Sequence, residues 1–388
     1  MDKKKASISL QEYGMFLALI AIFIIFNLLT GGKNSTSVNI NNLVMQNGYV
    51  VILATGMLLC VLTGNIDLGV GSIVAVTGAV AAILVVDKGT SVPVAFLAAL
   101  GIGLLSGCFV GFFIAFLGIP PFVVTLATML MGRGLTYTLL QARTKGPLPE
   151  SFVKVGAGFL PTMKVGIAGR ELDLVCIIIA AIATLLLIVF ELKDMRTKKK
   201  YGFSTSPMWQ VGLKVAIIAG IVWFFFLKLA EYNGVPIVLA LMAVVVAIYH
   251  FITSKTVAGR QIYALGGNAK AAKLSGINTK KVFFWVYANM GLLAAVAGIV
   301  LAARNASATP KAGDGFELDA IGSCYIGGAA AAGGVGTIVG AVVGAFIMGI
   351  LNNGMSLMNL STDIQKVVKG LVLLGAVTFD VLSSKKKA

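Results

Sequence analysis

The side chains able to do chemistry are few and far apart. The 388 residues hold one histidine, His250, and four cysteines, Cys60, Cys108, Cys176 and Cys324, each alone inside an apolar run. Zinc sites and disulfide frameworks need ligands at short, regular spacing. No C-x-x-C pair occurs, so no metal or disulfide is expected and the four thiols read as buried packing. A nucleophile, base and orienting group cannot be assembled from one histidine at the end of an apolar run. No G-x-x-x-x-G-K-[ST] phosphate loop is present either. The chain is therefore not expected to be an enzyme, to carry a cofactor or to hydrolyse ATP by itself.

What remains is a set of polar residues in or beside apolar stretches: Asn65, Asp67, Thr125, Thr128, Asn289, Asn305, Asn352 and Asn353. Their amides, hydroxyls and one carboxylate suit the lining of a pathway for a polar solute. They suit equally the bonding of one helix to another, a contact worth about 0.6–2 kcal/mol in membranes.

The elements that carry these residues are apolar. Hydrophobic residues make up 58% of the chain and charged ones 12%, against roughly 25% charged in soluble domains. Several apolar runs reach the ~20 residues that cross a ~30 Å hydrocarbon core. The fold class expected is all-α, a polytopic transmembrane bundle of about 10–12 helices within one domain. Candidate spans are 13–30, 43–63, 70–86, 93–117, 119–140, 172–190, 208–229, 234–253, 282–303, 318–333, 335–357 and 364–382. The opening lysines and Met15–Leu29 resemble a signal peptide, but Thr30-Gly31-Gly32-Lys33 lacks an A-x-A cleavage pattern, so an uncleaved first helix is expected.

Twelve crossings put both termini on one side. With the N-terminus inside, the inner segments hold seventeen basic residues: Lys3–Lys5, Lys193, Arg196, Lys198–Lys200, six between Lys255 and Lys281, and Lys385–Lys387. The outer segments hold nine, offset by seven acids. That asymmetry follows the positive-inside rule. It places 191–206 and 254–281 as cytoplasmic loops and 141–171 as an outer loop, N-in and C-in. It also accounts for the formal net charge of +16 without nucleic acid.

Two segments break the pattern of plain spans. Gly64-Asn65-Ile66-Asp67-Leu68-Gly69-Val70-Gly71-Ser72 sets a carboxylate and several glycines between apolar runs, and Gly118-Ile119-Pro120-Pro121-Phe122 interrupts another pair. Proline cannot continue the helix before it. Backbone broken at membrane depth is tolerated where protein or a water-filled cavity satisfies it, and such re-entrant breaks border transport pathways. A short cytoplasmic turn with a solvated Asp67 is the other reading. Small residues recur at helical spacing: Gly336, Gly340 and Gly344 as one ridge, Gly107 and Gly111 as another pair. In lipid such residues let helix backbones approach, inside one subunit or across a dimer seam.

The loop 254–281 carries six basic residues and no acid. Within it Ala269–Ser275 reads as a short helix, with Asn268 to cap its start and Gly276 to end it. Apolar Ala271, Ala272 and Leu274 lie on neighbouring faces, with Lys270 and Lys273 outward. Such a helix either rests on anionic membrane lipid or docks into a partner's groove.

Here the residues carry a family resemblance. Gly64–Ser72 resembles the G-x-I-D-L-S-V-G-S signature of ribose- and xylose-type ABC transporter permeases. Ile119-Pro120-Pro121-Phe122-Val123-Val124-Thr125-Leu126 is similar to their I-P-P-F-I-V-T-L element, with Arg133-Gly134-Leu135 following. Ala264–Asn268 and Leu274–Ile277 resemble their cytoplasmic loop. Glu317–Ile321 with Ile326–Gly328 and Gly333–Gly336 resembles E-L-D-A-I…I-G-G…G-G-x-G, and Lys369–Leu374 their closing helix. Gly69 departs from the usual Ser, and Ala329–Ala332 replaces a run that often holds polar and bulky residues. The span 208–229 looks like an insertion relative to the ribose type, as in the xylose and multiple-monosaccharide branch.

The resemblance implies the permease of an importer of simple sugars in the bacterial inner membrane. It would work with a separate ATP-binding subunit, a periplasmic or lipid-anchored sugar-binding protein and a second permease copy. It would make Asn268, Ala271, Ala272, Leu274 and Gly276 the coupling contact to the ATPase. Nucleosides and branched-chain amino acids, carried by related permeases, are alternative solutes. An ion-coupled secondary transporter is the rival class, but it needs acids buried mid-span. Asp67, Asp173, Asp319 and Asp380 are expected near span ends, and the charges expected inside, Arg133 and Lys369, are basic. The charge rings of a channel are not visible.

Overall fold

The computed structural model describes residues 10–167, 169–202 and 207–385. The basic clusters read at Lys3–Lys5 and at Lys386 and Lys387 lie outside the described residues. In chain order the elements are α1 (Leu10–Leu29), α2 (Ser37–Leu62), α3 (Val70–Val86), α4 (Val92–Ala115), α5 (Pro121–Leu140) and α6 (Glu150–Ala157). A hairpin follows, β1 (Lys164–Ile167) and β2 (Arg170–Asp173), then α7 (Leu174–Lys200), α8 (Met208–Ala230), α9 (Ile237–Lys255), α10 (Val257–Gly267) and α11 (Ala269–Leu274). The chain closes with α12 (Thr279–Asn305), α13 (Phe316–Ile326), α14 (Ile338–Leu357) and α15 (Thr362–Lys385). Among the described residues eight helices are long and apolar enough to cross a membrane, and Met15–Leu29 and Val70–Val86 are shorter apolar helices. The protein is an all-α, multi-pass membrane bundle.

Local chemistry sets where helices begin. Pro121 stands at the first position of α5, where its missing N–H costs nothing. Side-chain oxygens of Thr36, Asp173 and Thr337 accept from the free N–H groups at the starts of α2, α7 and α14.

The bundle has two halves of inverted topology. In the first, the 26-residue α2 leads through a break to the 17-residue α3, then to α4 and α5. In the second, the 27-residue α12 leads through a break to the 11-residue α13, then to α14 and α15. The long helices α2 and α12 run antiparallel, with Gly48 beside Val300 and Gly56 beside Met290. Pairing is then reciprocal, α4 lying along α12 and α14 along α2. These crossings are close because glycine makes them so. A Cβ on Gly107 would meet the Tyr287 and Ala288 carbonyls of α12, and one on Gly111 would stand 2.7 Å from the Phe284 carbonyl. Backbone contact of this kind replaces the hydrophobic drive that lipid cannot supply.

The connections sort into two ends. At one end Lys145 pairs with Asp87 at 2.9 Å, Arg170 with Glu231 at 2.9 Å and Lys366 with Asp314 at 3.0 Å. These join the connections after α3, α5, α6, α8 and α12 and the first turns of α15. At the other end the Gly334 N–H donates to the Leu62 carbonyl at 2.9 Å and the Tyr263 hydroxyl to the Gly336 carbonyl at 2.7 Å. These join the connections after α2, α9 and α13.

Three expectations need correction. The stretch 318–333 is not one helix: α13 stops at Ile326, and the chain continues as non-helical backbone with left-handed Gly328, Gly333 and Gly334. The segment 191–206 is not a loop throughout, because α7 runs on to Lys200, helped by the Asp194–Lys198 pair one turn apart at 2.7 Å. Gly336 is no part of the ridge with Gly340 and Gly344, since α14 starts at Ile338 and Gly336 has φ +152. Gly340 and Gly344 do lie on α14, against the Gly327 and Ser323 carbonyls, while Gly336 packs on Ala329 and Leu58.

Candidate functional site

The two helical breaks meet. After Leu62 the chain runs without helix to Gly69, and Asp67 orders that run by accepting the Gly69 N–H on Oδ1 at 2.8 Å. Asp67 is 1% exposed, so the solvated-turn reading is wrong. Gly69 packs against the Thr125 carbonyl and Thr128 of α5, and the Ser72 hydroxyl donates to the Met129 carbonyl at 2.7 Å. Gly71 lies directly against Gly313, two residues before α13's N-cap, with no room for a Cβ on either. The broken helices α3 and α13 therefore start side by side inside the bundle, the arrangement that surrounds solute sites in transporters with discontinuous helices.

The segment entering α13 is gripped by cations. Arg133 of α5 donates to the Ala312 carbonyl at 2.6 Å and to the Pro310 carbonyl at 3.3 Å. Lys369 of α15 pairs with Asp319 at 2.9 Å, and Asn352 donates to the same carboxylate at 3.5 Å. Asp173 caps α7 and Asp319 lies in the first turn of α13, near helix ends as expected, and both are buried. Asp173 spends its charge on the N–H groups of Met163 and Val175. Tyr49 of α2 stacks on Phe316 at 3.9 Å, with the planes 11° apart.

The second junction lies at the opposite end. A Cβ on Gly266 of α10 would collide with the Leu62 carbonyl and stand 2.6 Å from the Gly334 nitrogen. The α10–α11 unit thus touches both the break after α2 and the one after α13. Helix α11 is capped as expected, with Asn268 Oδ1 accepting the Ala271 N–H at 3.0 Å and Gly276 left-handed at φ +85. Its faces differ from expectation. Ala272 is buried against the chain's own core, whereas Leu274 is 89% exposed and Ala271 is exposed. Ala272 is therefore not on the exposed side of α11 with Ala271 and Leu274, because its methyl packs into the chain's own interior.

The other polar residues are dispersed. The Thr125 and Thr128 hydroxyls bond back to carbonyls of their own helix, at 3.3 and 2.9 Å. The Asn65 amide donates to the Thr63 carbonyl at 3.0 Å. Asn289 accepts from the Tyr249 hydroxyl, tying α12 to α9. Asn353 exchanges two hydrogen bonds with Asn39, at 2.9 and 3.1 Å, and binds α14 to α2. Asn305, the last residue of α12, is exposed at the outset of the break before α13. Asn65, Asp67, Thr125, Thr128, Asn305 and Asn352 border the breaks or the segments that pack on them. Tyr263 went unread as a site residue, and Gly266 was read only as part of the loop, because their partners Gly336, Leu62 and Gly334 are distant in sequence and leave no local signature.

Cysteines Cys60, Cys176 and Cys324 are buried, Cys108 is partly so, and all four are free thiols. A multi-pass bundle of inverted halves, with broken helices meeting at depth, defines the membrane-spanning part of a transporter. Comparison with known proteins makes the class specific. The chain matches the family model described as branched-chain amino acid transport system / permease component over residues 39–377. It is 37% identical over 383 residues to the xylose transport system permease protein XylH of Haemophilus influenzae, with 99% of each chain covered. It is 36% identical over 384 residues to XylH of Escherichia coli K12, covering 98% of this chain and 94% of that one. To the ribose import permease protein RbsC of Escherichia coli K12 it is 35% identical over 372 residues, covering 96% and 94%. No solved structure matches it. The chain belongs to this permease family, with the ribose- and xylose-type ABC permeases, and is a sugar ABC permease.

Proposed function

We propose that the chain is the membrane subunit of an ATP-driven importer of a simple sugar, xylose or several monosaccharides, in the bacterial inner membrane. A separate ATP-binding subunit supplies the energy, and an extracytoplasmic binding protein delivers the sugar to a permease dimer. The observation that carries this reading is the junction of Gly266 with Leu62 and Gly334. It gives a compact loop at one end of the bundle a direct hold on both broken passes. A transporter with no nucleotide site of its own needs such a surface. In this reading 191–206 and 254–281 face the cytosol, 141–171 faces outside, and the exposed Ala271 and Leu274 meet the ATP-binding subunit. The xylose permeases among the relatives support xylose, and the ribose permeases support a wider pentose preference.

The test is uptake of radiolabelled xylose by proteoliposomes holding the permease, the ATP-binding subunit and the binding protein, with unlabelled ribose, nucleosides and leucine as competitors. Competition by sugars alone supports the reading. Competition by leucine or a nucleoside moves the chain to another solute.

A further inference from the structure

Helix α13 stands between two joints that turn at left-handed glycines. Before it, Gly313 and Gly315 are left-handed at φ +70 and +78; after it come Gly328, Gly333 and Gly334 at φ +85, +87 and +75. Between them 11 residues form a rigid rod with Asp319, Ser323 and Cys324 fully buried. Its far joint lies in the junction with α10, through the Gly334–Leu62 hydrogen bond and the Tyr263 hydroxyl on the Gly336 carbonyl. Its near joint is held by Arg133 on two carbonyls and by Lys366 on Asp314, and its first turns by Lys369 on Asp319. The two grips come from α5 and α15, the equivalent last helices of the inverted halves. They have different strengths. The Lys366–Asp314 pair is exposed and worth little. The Asp319 carboxylate is buried, so breaking its pair leaves an uncompensated charge.

We propose that Lys369 and Arg133 are positioning residues of the transport cycle. They latch the start of α13 against α15 and α5, so that motion of α10–α11 reaches the opposite end of the bundle as a tilt of α13 that releases the Lys369–Asp319 pair. The inference rests on the transport reading for its role and on the geometry alone for the latch. A merely structural ion pair would hold α13 still in every state, whereas Gly315 and Gly328, left-handed with open space beside them, are the points about which the rod tilts once the pair opens.

The reporter is Ala320, fully buried in the second turn of α13. Ala320→Cys, with the four native cysteines replaced by serine, is reconstituted with the ATP-binding subunit and binding protein. Labelling is followed with a membrane-impermeant thiol reagent. Lys369→Gln is expected to raise the labelling rate at least about fivefold and to cut uptake about tenfold, with ATP hydrolysis within about twofold of the parent. The exchange Asp319→Lys with Lys369→Asp is expected to return labelling toward the parent rate and to recover part of the uptake. Arg133→Gln serves as a second variant where Lys369→Gln does not fold, with the same rise in labelling. Unchanged labelling in both single variants, or no recovery in the exchange, overturns the latch. If the parent complex imports no sugar while labelling still rises, the latch stands and the transport reading falls.

Discussion

Gly266 presses its α-carbon against the Leu62 carbonyl at the end of α2, and no other residue type fits there. Helices α10 and α2 are thereby in backbone contact, with no side chain to absorb motion between them. Gly266→Ala puts a methyl group into that contact and is expected to cost about 1–3 kcal/mol, lowering folded yield in detergent and uptake together. Gly220→Ala on α8, where a Cβ would meet nothing within 4 Å, is the matched control and should leave both unchanged. Equal behaviour of the two variants contradicts the junction.

The exposed face of α11 gives a second expectation. Leu274→Glu leaves the chain's own packing alone, since that side chain is 89% exposed. Full membrane insertion is expected, with loss of co-purification with the ATP-binding subunit. Ala272→Glu places a carboxylate in a buried site and should instead lower folded yield, because desolvating the charge costs several kcal/mol. Normal yield of Ala272→Glu with a selective loss of the partner would restore Ala272 to the docking face.

Gly340 on α14 leaves no space for a side chain over the Gly327 carbonyl. Gly340→Leu should force α13 and α14 apart at a cost of about 1–3 kcal/mol, read as a lower midpoint in thermal unfolding in detergent. An unchanged midpoint would mean that this crossing is not close.

Glu231, just past the end of α8, accepts hydrogen bonds from Ser37 at 2.5 Å, Lys228 at 2.9 Å and Arg170 at 2.9 Å. The Ser37 hydroxyl foremost, then Lys228, holds its carboxyl below the ordinary value of 4.5. A carboxyl depressed in the folded state stabilises it above the unfolded value, and that contribution is lost as pH falls through the folded one. Glu231→Gln is therefore expected to lower thermal stability at neutral pH slightly and to remove part of its decline on acidification below about pH 4.5. A decline identical to the parent's would mean that the carboxyl carries no such linkage.

What could be read in the sequence was local. The cap and end of α11 follow from Asn268 and Gly276, and the turn at Pro120-Pro121 from proline's missing donor. Spans were legible because lipid demands long apolar runs. The break inside 318–333 was not, since the stretch reads as a mostly apolar run, and the left-handed Gly333 and neighbouring Gly334 lie against Leu62, Gly64 and Gly267, distant in sequence. The inward face of Ala272 and the outward face of Leu274 depend on what a six-residue helix packs against, which periodicity cannot convey over so short a length. From sequence Asp67 read equally as part of a break and as a solvated turn, and Asp319 read only as lying near a span end. They are buried because the backbone breaks there bring chain back into the bundle. Asn353 reads as well for a pathway as for helix bonding, and only its partner Asn39, 314 positions away, decides for bonding.

The central claim is that ATP hydrolysis, delivered through α10–α11, moves sugar through this bundle. The most direct measurement is xylose accumulation by proteoliposomes of the full complex, with ATP on the α10–α11 side, binding protein on the other, and ionophores to collapse every ion gradient. The account predicts ATP-dependent accumulation that survives the ionophores and is lost in Leu274→Glu. Accumulation that needs an imposed proton or sodium gradient and ignores ATP would contradict it.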